Sequence, residues 1–387
     1  MSDYLIIWGD LLTFKKEQIG FIDKLSIYRS NFRNSINSAA THTFNFTGIN
    51  GSSVKNNIKP ALKAALGEHV ERVCLYKNIK TLKKKEVLAF NFLTNEQEYI
   101  PNKYVSLTFI DDVFFENDEE RNNFYNDSTG VASHLNSNMA IKNSYFEFVE
   151  RQSLVFSFLT KTPGTRVIYD EMHIEKNDML RSAYLYFDEV VFYDISLFDG
   201  IYVIIGIGLG SKYYGVGLSA DRDLNKAFTG ALDELMACVF RSIPKDYTNQ
   251  NRNNIDTPEI NRDAIFKDPH FYSNVFFSKL NSDYIKKSFS YLQCEKKVYL
   301  SERIVDSQGF DVIKDARNFA QKYNINLYLV YIPITNINYP NKVVKFLSPD
   351  CYLHINTLLI KPEDYSISYM RDANQKFPNK NIYLPFP

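Results

Sequence analysis

The chain has 387 residues, 45% hydrophobic and 23% charged, which is ordinary for a globular protein and long enough to bury a substantial core. Its 45 Lys and Arg balance 45 Asp and Glu, which argues against nucleic acid as a partner, because neutralising phosphates demands a basic excess. The four cysteines are far apart, the six histidines form no HxxxH or HExxH, and no apolar run reaches the roughly 18 residues of a membrane span. A disulfide framework, a zinc site, a signal peptide and a membrane anchor are therefore not expected, and the expected location is the cytoplasm.

In chain order, the first clear helical pattern covers 60–76. Within it, AALGEHVERVCLY (64–76) places Glu68, Glu71 and Arg72 on one helical face. EVLAFNF (86–92) and KYVSLTFI (103–110) predict strands, and 138–158 predicts a second helix, with Glu147, Glu150 and Arg151. AYLYFDEVVFYDI (183–195) and IYVIIGIGL (201–209) predict further strands. GIGLGSK (206–212) fits neither GxGxxG nor GxxxxGK[ST] and reads as a glycine-rich hairpin turn. A third helix is predicted over 224–241, carrying Glu234. The polar, Asn-rich segment 245–263 after it reads as a mobile loop rather than a domain boundary. A helix over 312–323 and strands at NLYLVYIPI (326–334) and KVVKFLS (342–348) complete the pattern. Interleaved strands and helices predict a mixed α/β (α+β) fold, taken as one domain over 1–387.

The three glutamate-bearing helices repeat one another. Ala61, Asn57 and Gly51 lie 7, 11 and 17 residues before Glu68. At the same offsets stand Ala140, Asn136 and Gly130 before Glu147, and Ala227, Asp223 and Gly217 before Glu234. The residue three before each Glu is small: Ala65, Ser144 and Ala231. Asn or Asp at this place is a natural N-cap, and Pro60 suits a first helical turn. The small residues line one face, where another element can approach closely. Each Glu stands three turns into its helix, too far along to serve a capping box.

Glu68-x-x-Glu71-Arg72 is matched by Glu147-x-x-Glu150-Arg151, while the third unit has only Glu234, followed by Ala237 and Cys238. If the small faces pack together, five carboxylates converge. At ~5 Å and an effective dielectric of ~20, each like-charged pair then costs roughly 3 kcal/mol, and two arginines cannot neutralise five anions. Divalent cations can, and an all-oxygen site that also holds a triphosphate suits magnesium. The alternative is that the faces never meet and the glutamates are solvated.

Gly…Ala…ExxER in two copies, followed by a third copy with a single Glu, resembles the YcaO family. The likeness extends over AFNFLTNEQEYIP (89–101), STGVASHLNSNMAIKNSYFEFVERQS (128–153), GVGLSADRDLNKAFTGALDEL (215–235) and FLSPDCYLHIN (346–356). The terminal Leu384-Pro385-Phe386-Pro387 is similar to the proline-rich end of azoline-forming YcaO enzymes. The resemblance implies a YcaO-like fold around an ATP and Mg2+ site, and ATP-dependent cyclodehydration of Cys, Ser or Thr in a ribosomal precursor peptide. It assigns Glu68, Glu71, Glu147, Glu150 and Glu234 to Mg2+ on the triphosphate, with Arg72 and Arg151 orienting carboxylates or phosphates. Asn143 stands where the family often has Gln, and Lys55 lies one place from the family's phosphate-binding lysine. Ala64, Ala237 and Gly230 replace a family Ser, Gln and Arg. The resemblance also makes the carboxylate of Pro387 a candidate catalytic group, on a stiff tail read as lying outside the core. The implied partners are an E1-like subunit that binds the leader peptide and an FMN-dependent azoline dehydrogenase. A YcaO enzyme using an external nucleophile, as in thioamidation, and a non-catalytic nucleotide-binding scaffold are the competing readings.

Overall fold

The computed structural model describes residues 50–82, 85–107, 124–246, 271–300, 310–333 and 340–387, together with backbone strands at 5–9, 12–22, 25–31 and 37–43. Fifteen strands in the described residues form three five-stranded sheets. The first is a meander of β1 (Leu5–Gly9), β2 (Leu12–Ile22), β3 (Leu25–Asn31), β4 (Asn37–Thr43) and β5 (Asn50–Lys55), each antiparallel to the next. The second takes β6 (Glu86–Asn91), β7 (Glu96–Pro101), β8 (Val131–His134), β14 (Tyr328–Ile332) and β15 (Lys342–Leu347) in the order β7-β6-β14-β15-β8. The third contains β9 (Thr165–Ile168), β10 (Glu189–Asp194), β11 (Tyr202–Leu209), β12 (Tyr214–Asp221) and β13 (Lys297–Tyr299). Its order is β12-β11-β10-β9-β13, and β13 runs parallel to β9.

The described helices are α1 (Ile58–Leu82), α2 (Ser137–Thr160), α3 (Glu171–Lys176), α4 (Asp178–Ala183), α5 (Leu224–Asp246), α6 (Phe271–Lys279), α7 (Ser282–Ser288) and α8 (Val312–Tyr323). None of the helices in the described residues is long and apolar enough to cross a membrane. Helix α2 is buried on nearly every side: Tyr145, Phe148, Val149, Phe156 and Phe158 are at most 1% exposed. The main hydrophobic cluster gathers around it.

The threefold repeat is structural. Asn57 Oδ1 accepts from the Lys59 N–H at 3.0 Å, Asn136 Oδ1 from Met139 at 3.1 Å, and Asp223 Oδ1 from Asn225 at 2.9 Å. The carbonyls of the same three residues accept from the N–H of Ala61, Ala140 and Ala227. All three caps therefore hold as the spacing predicts. The six small residues, Ala61, Ala65, Ala140, Ser144, Ala227 and Ala231, are fully buried.

The glycine that opens each unit has a steric cause. A Cβ on Gly51 would stand 2.0 Å from the Ala65 carbonyl oxygen, and one on Gly217 would stand 2.1 Å from that of Ala231. Strand and helix backbones touch at corresponding positions in the first and third units. In the middle unit Gly130 has φ +75°, and Ser144 Oγ bonds its carbonyl at 2.6 Å while accepting from the Phe346 N–H at 2.9 Å. Each helix also packs on the strand of the next unit: α1 on β8, α2 on β12 and α5 on β5. The three units thus close a ring.

Several sequence expectations are corrected. Residues 102–104 form a 3-10 turn, not the start of a strand, because the Val105 and Ser106 N–H groups both bond back to the Asn102 carbonyl. Residues 108–110 of that expected strand lie outside the described residues. In 183–195 only Glu189–Asp194 is strand, since the N–H groups of Leu185, Tyr186 and Phe187 close turns onto Ser182 and Ala183. The glycines of 206–209 lie within β11, covered by the rings of Phe192 and Phe187, and the hairpin turns at 210–213. The 245–263 segment begins inside α5, and its remainder lies outside the described residues. The tail is core: Leu384 is 0% and Phe386 5% exposed, and both belong to the main cluster. Tyr272 Oη donates to the Leu384 carbonyl at 2.6 Å, and the Leu384 N–H donates to Thr357 Oγ1 at 3.0 Å.

The close approach at Gly217 predicts a large effect from one methyl group. Gly217→Ala should cost about 3 kcal/mol or more, because the obstacle is backbone and cannot swing away. Gly67, inside α1, has only the Ser133 oxygen at 3.8 Å from its ideal Cβ, so Gly67→Ala should be neutral or stabilising by up to ~1 kcal/mol. Denaturation midpoints of the two variants check this; equal midpoints would reject the steric account.

Candidate active site

The ring geometry brings the five glutamates together. Glu68 Oε2 accepts from the Ser52 N–H at 2.6 Å, and its Oε1 meets Arg72 at 2.5 Å. Glu71 reaches into the second unit, accepting from the Ser133 N–H at 2.7 Å. Glu150 makes the corresponding bond to the N–H of Ala220 in the third unit. Ser133 and Ala220 each stand three residues after their unit's glycine. The two second glutamates therefore hold equivalent places around the ring. Glu147 and Glu150 flank Arg151 Nε at 3.9 and 3.8 Å, with side chains 25% and 15% exposed.

Burial and mutual charge dominate this cluster. Loss of water pushes the carboxyls of Glu147 and Glu150 up to about 8, against the opposing pull of Arg151. Burial, with the charges of Glu147 and Glu68, pushes Glu71 well above the usual range. Glu234 is raised by burial against Arg241 and Lys55, with Glu68 adding to the push. Glu71, Glu147, Glu150 and Glu234 thus each feel at least one other carboxylate, so the solvated alternative does not describe these four. Arg151 is held above its ordinary value: burial opposes its charge, but Glu150, Glu147, Asp127 and Glu234 together outweigh that.

The other expected residues have definite places. Lys55 pairs with Asp233 at 2.5 Å, on the side of α5 next to Glu234. Asn143 is exposed one turn before Glu147. Pro387 is half-buried, and beside it the Phe386 ring lies 4.9 Å from the Arg151 guanidinium carbon.

Four contributors escape the motif. Arg241, seven residues after Glu234, bonds Ser52 Oγ at 2.7 Å and so joins the third unit to the first. Ser52 links the two sides, its N–H serving Glu68 and its hydroxyl serving Arg241. Asp127 bonds the N–H of Thr129 and Ile355 and faces Glu147 and Arg151. Lys345, 1% exposed, donates to the Asp127 carbonyl at 2.9 Å, and burial pulls its pKa down to about 8 despite Asp127 and Glu147. A lysine flanked on both sides by apolar residues in VVKFL (343–347) is the signal for that buried charge. For Asp127, which comes from a loop, the sequence held no comparable signal.

Fold and site together define a protein of the YcaO family, whose sequence model, described as a cyclodehydratase binding ATP and Mg2+, matches residues 84–335. The chain belongs to that family. Within it, the chain is similar to the microcin B17-processing protein McbD of Escherichia coli, 28% identical over 293 residues that cover 72% of this chain and 67% of McbD. It shares the fold of a chain in the E. coli microcin synthetase McbBCD complex, with a TM-score of 0.67 at 19% identity over all of both chains. The YcaO protein of Methanopyrus kandleri bound with AMPPCP and Mg2+ matches with a TM-score of 0.60 at 14% identity over 86% of each chain. The first glutamate helix lies outside the matched 84–335, so its membership in the site rests on the ring geometry.

The residues fit ATP and Mg2+. The donors are hard carboxylate oxygens in surplus over the nearby cations, and the buried Arg151 Nε makes no hydrogen bond. No group of three or more acidic, His or Cys side chains in the described residues is tight enough to hold a metal alone. Magnesium with nucleotide needs no such cage, since it takes one or two carboxylates per ion and completes its shell with phosphate oxygens and water.

The raised carboxyls set a pH dependence. Between the ordinary 4.5 and about 8 the folded protein binds more protons than the unfolded chain at Glu147 and Glu150, so its stability without nucleotide should fall as pH rises through that window. Cation binding requires the ionised forms, so loading Mg2+ with a non-hydrolysable ATP analogue at neutral pH should release protons. Calorimetry in buffers of different ionisation enthalpy reads this directly; proton uptake would contradict the assignment.

Proposed function

We propose that this chain is the ATP-dependent cyclodehydratase subunit of a peptide-modifying synthetase, converting Cys, Ser or Thr residues of a ribosomal precursor peptide to thiazolines or oxazolines. The observation that carries the reading is the convergence of five glutamates on three rigid helices, four of them, Glu71, Glu147, Glu150 and Glu234, with carboxyls raised by burial, in a chain of the cyclodehydratase family. Similarity to McbD, a microcin-processing protein, supports a peptide as substrate.

ATP and Mg2+, when bound, supply the transferable phosphoryl group and the positive charge that makes it reactive. Glu68, Glu71, Glu147, Glu150 and Glu234 hold Mg2+ on the triphosphate, and their helices fix the spacing. Arg72 and Arg151 supply planar donor forks for carboxylate or phosphate oxygens. The peptide's own side chain attacks the preceding amide carbonyl and gives up its S–H or O–H proton, and the carbonyl oxygen, its double bond opened, would accept the γ-phosphoryl group of ATP. Departure of that oxygen as phosphate and loss of the amide N–H proton leave the azoline ring, so ATP hydrolysis and dehydration balance one to one. No protein nucleophile is needed; the site works by positioning and charge neutralisation. Residues 384–387 border this space through Phe386, and the candidate role of Pro387 belongs there. The partners in this reading are an E1-like subunit that presents the leader peptide and an FMN-dependent dehydrogenase that oxidises azolines to azoles.

Glu68→Gln and Glu147→Gln should each lower azoline formation at least ~100-fold, as expected for losing a preorganised electrostatic contact. Folding stability should change by no more than about 1 kcal/mol, because each change also relieves repulsion. Mass spectrometry of a precursor peptide, with melting curves of the same variants, tests both halves; full activity in both variants would end the assignment.

ATP turnover should be low for the chain alone and rise when an E1-like partner and a leader-bearing peptide are supplied together. Turnover that never responds to peptide would favour a scaffold, and sulfide-dependent turnover would favour an external nucleophile.

A further inference from the structure

The two ExxER units place their arginines at equivalent positions, yet the ion pairs differ. Arg72 closes on Glu68 at 2.5 Å. Arg151 stands 3.9 and 3.8 Å from Glu147 and Glu150, and its Nε makes no hydrogen bond although it is buried. Neither of the two nearest carboxylates closes on this arginine, and Asp127 and Glu234 also act on it.

The Phe386 ring is in contact with the guanidinium. It lies 4.9 Å from the guanidinium carbon, 5% exposed, in a geometry where the ring quadrupole attracts the cation. Its position is fixed from several sides. Leu384 is tied to Tyr272 and Thr357, Tyr383 Oη donates to the Tyr272 carbonyl at 2.8 Å, and the Phe386 N–H bonds the Leu384 carbonyl at 2.9 Å. Pro385 and Pro387 stiffen the backbone on both sides.

We propose that Phe386 is a positioning residue for Arg151: it holds the guanidinium out of a closed ion pair, keeping Glu147 and Glu150 available to a divalent cation and the guanidinium edge available to phosphate. This rests on the reading that the carboxylates bind Mg2+ with nucleotide. An arginine closed onto Glu150 would compete with the cation for the same oxygens. The tail therefore acts on the site through one aromatic face as well as by filling core space.

Phe386→Leu, and replacement of Phe386 by cyclohexylalanine, which keeps ring shape and burial without the π face, separate these roles. The full chain is titrated with Mg2+ in the presence of a non-hydrolysable ATP analogue. Both replacements should raise the Mg2+ midpoint roughly 3- to 30-fold, the range of a desolvated cation–π contact, and Phe386→Trp should restore it. In an Arg151→Gln background the same replacements should have no further effect. In the nucleotide-free protein, the Arg151 Nε–H resonance should lose its ring-current shift in the cyclohexylalanine form. An unchanged midpoint with cyclohexylalanine, or an equal shift with and without Arg151, would overturn the proposal. Absence of Mg2+-dependent binding by the wild-type chain would overturn the underlying reading as well. If Phe386→Leu fails to fold, the cyclohexylalanine form decides.

Discussion

Mutual repulsion among Glu68, Glu71, Glu147, Glu150 and Glu234 is the interaction to which the surrounding structure answers. Carboxylates stripped of water and set near one another drift apart or take up protons unless the backbone denies them both room and flexibility. Here each is carried about three or four turns into a capped helix, and each helix is pressed against a strand through a face of fully buried small residues. The approach is closest at Gly51 and Gly217, where a single added carbon would overlap a helix carbonyl. Such contact leaves the scaffold no slack, so burial first and the neighbouring carboxylates second hold the pKa values up. An acidic cluster kept in that condition is poised to take a cation.

What the sequence revealed follows from where each constraint acts. Cap, small face and glutamate are demands on one strand–helix unit, so they repeat at fixed spacing and were readable three times over. Contacts between units leave no such trace. Arg241 serves Glu234 and Ser52 from two turns beyond the motif, and Asp127 comes from a loop whose neighbours in space are remote in sequence. The run at 103–107 has the composition of a strand, but its N–H groups find Asn102 before they find a partner strand. The tail was read as a stiff extension outside the core, whereas Leu384 and Phe386 fill a space built by Tyr272, Thr357 and α2, partners remote in sequence.

The tail therefore joins two properties that a solvated tail would keep apart. Its apolar residues belong to the same cluster as the inner face of α2, and its aromatic ring touches the arginine on the outer face of that helix. Any change in the tail is felt as packing and as charge placement together. Truncation consequently confounds the two, while substitutions that preserve volume can resolve them.

The third unit shows how the ring tolerates asymmetry. Ala237 and Cys238 stand where the other units have Glu and Arg, and Cys238 is buried against its own strand, its thiol 3.3 Å from the Val216 carbonyl and pushed up to about 12 by burial. That thiol is packing, not chemistry. Lys55 and Arg241 supply the positive charge that acts on Glu234. Two junctions of the ring are thus closed by a carboxylate accepting from the next strand's N–H, at Glu71 and Glu150. The third is closed by an arginine donating to a serine hydroxyl, Arg241 to Ser52. The third junction also pairs Lys55 with Asp233, so its charges balance, and the carboxylate surplus lies over the first two units. A nucleotide carries both signs once magnesium is on its phosphates, and a site with two unlike sides can orient it where a symmetric ring could not.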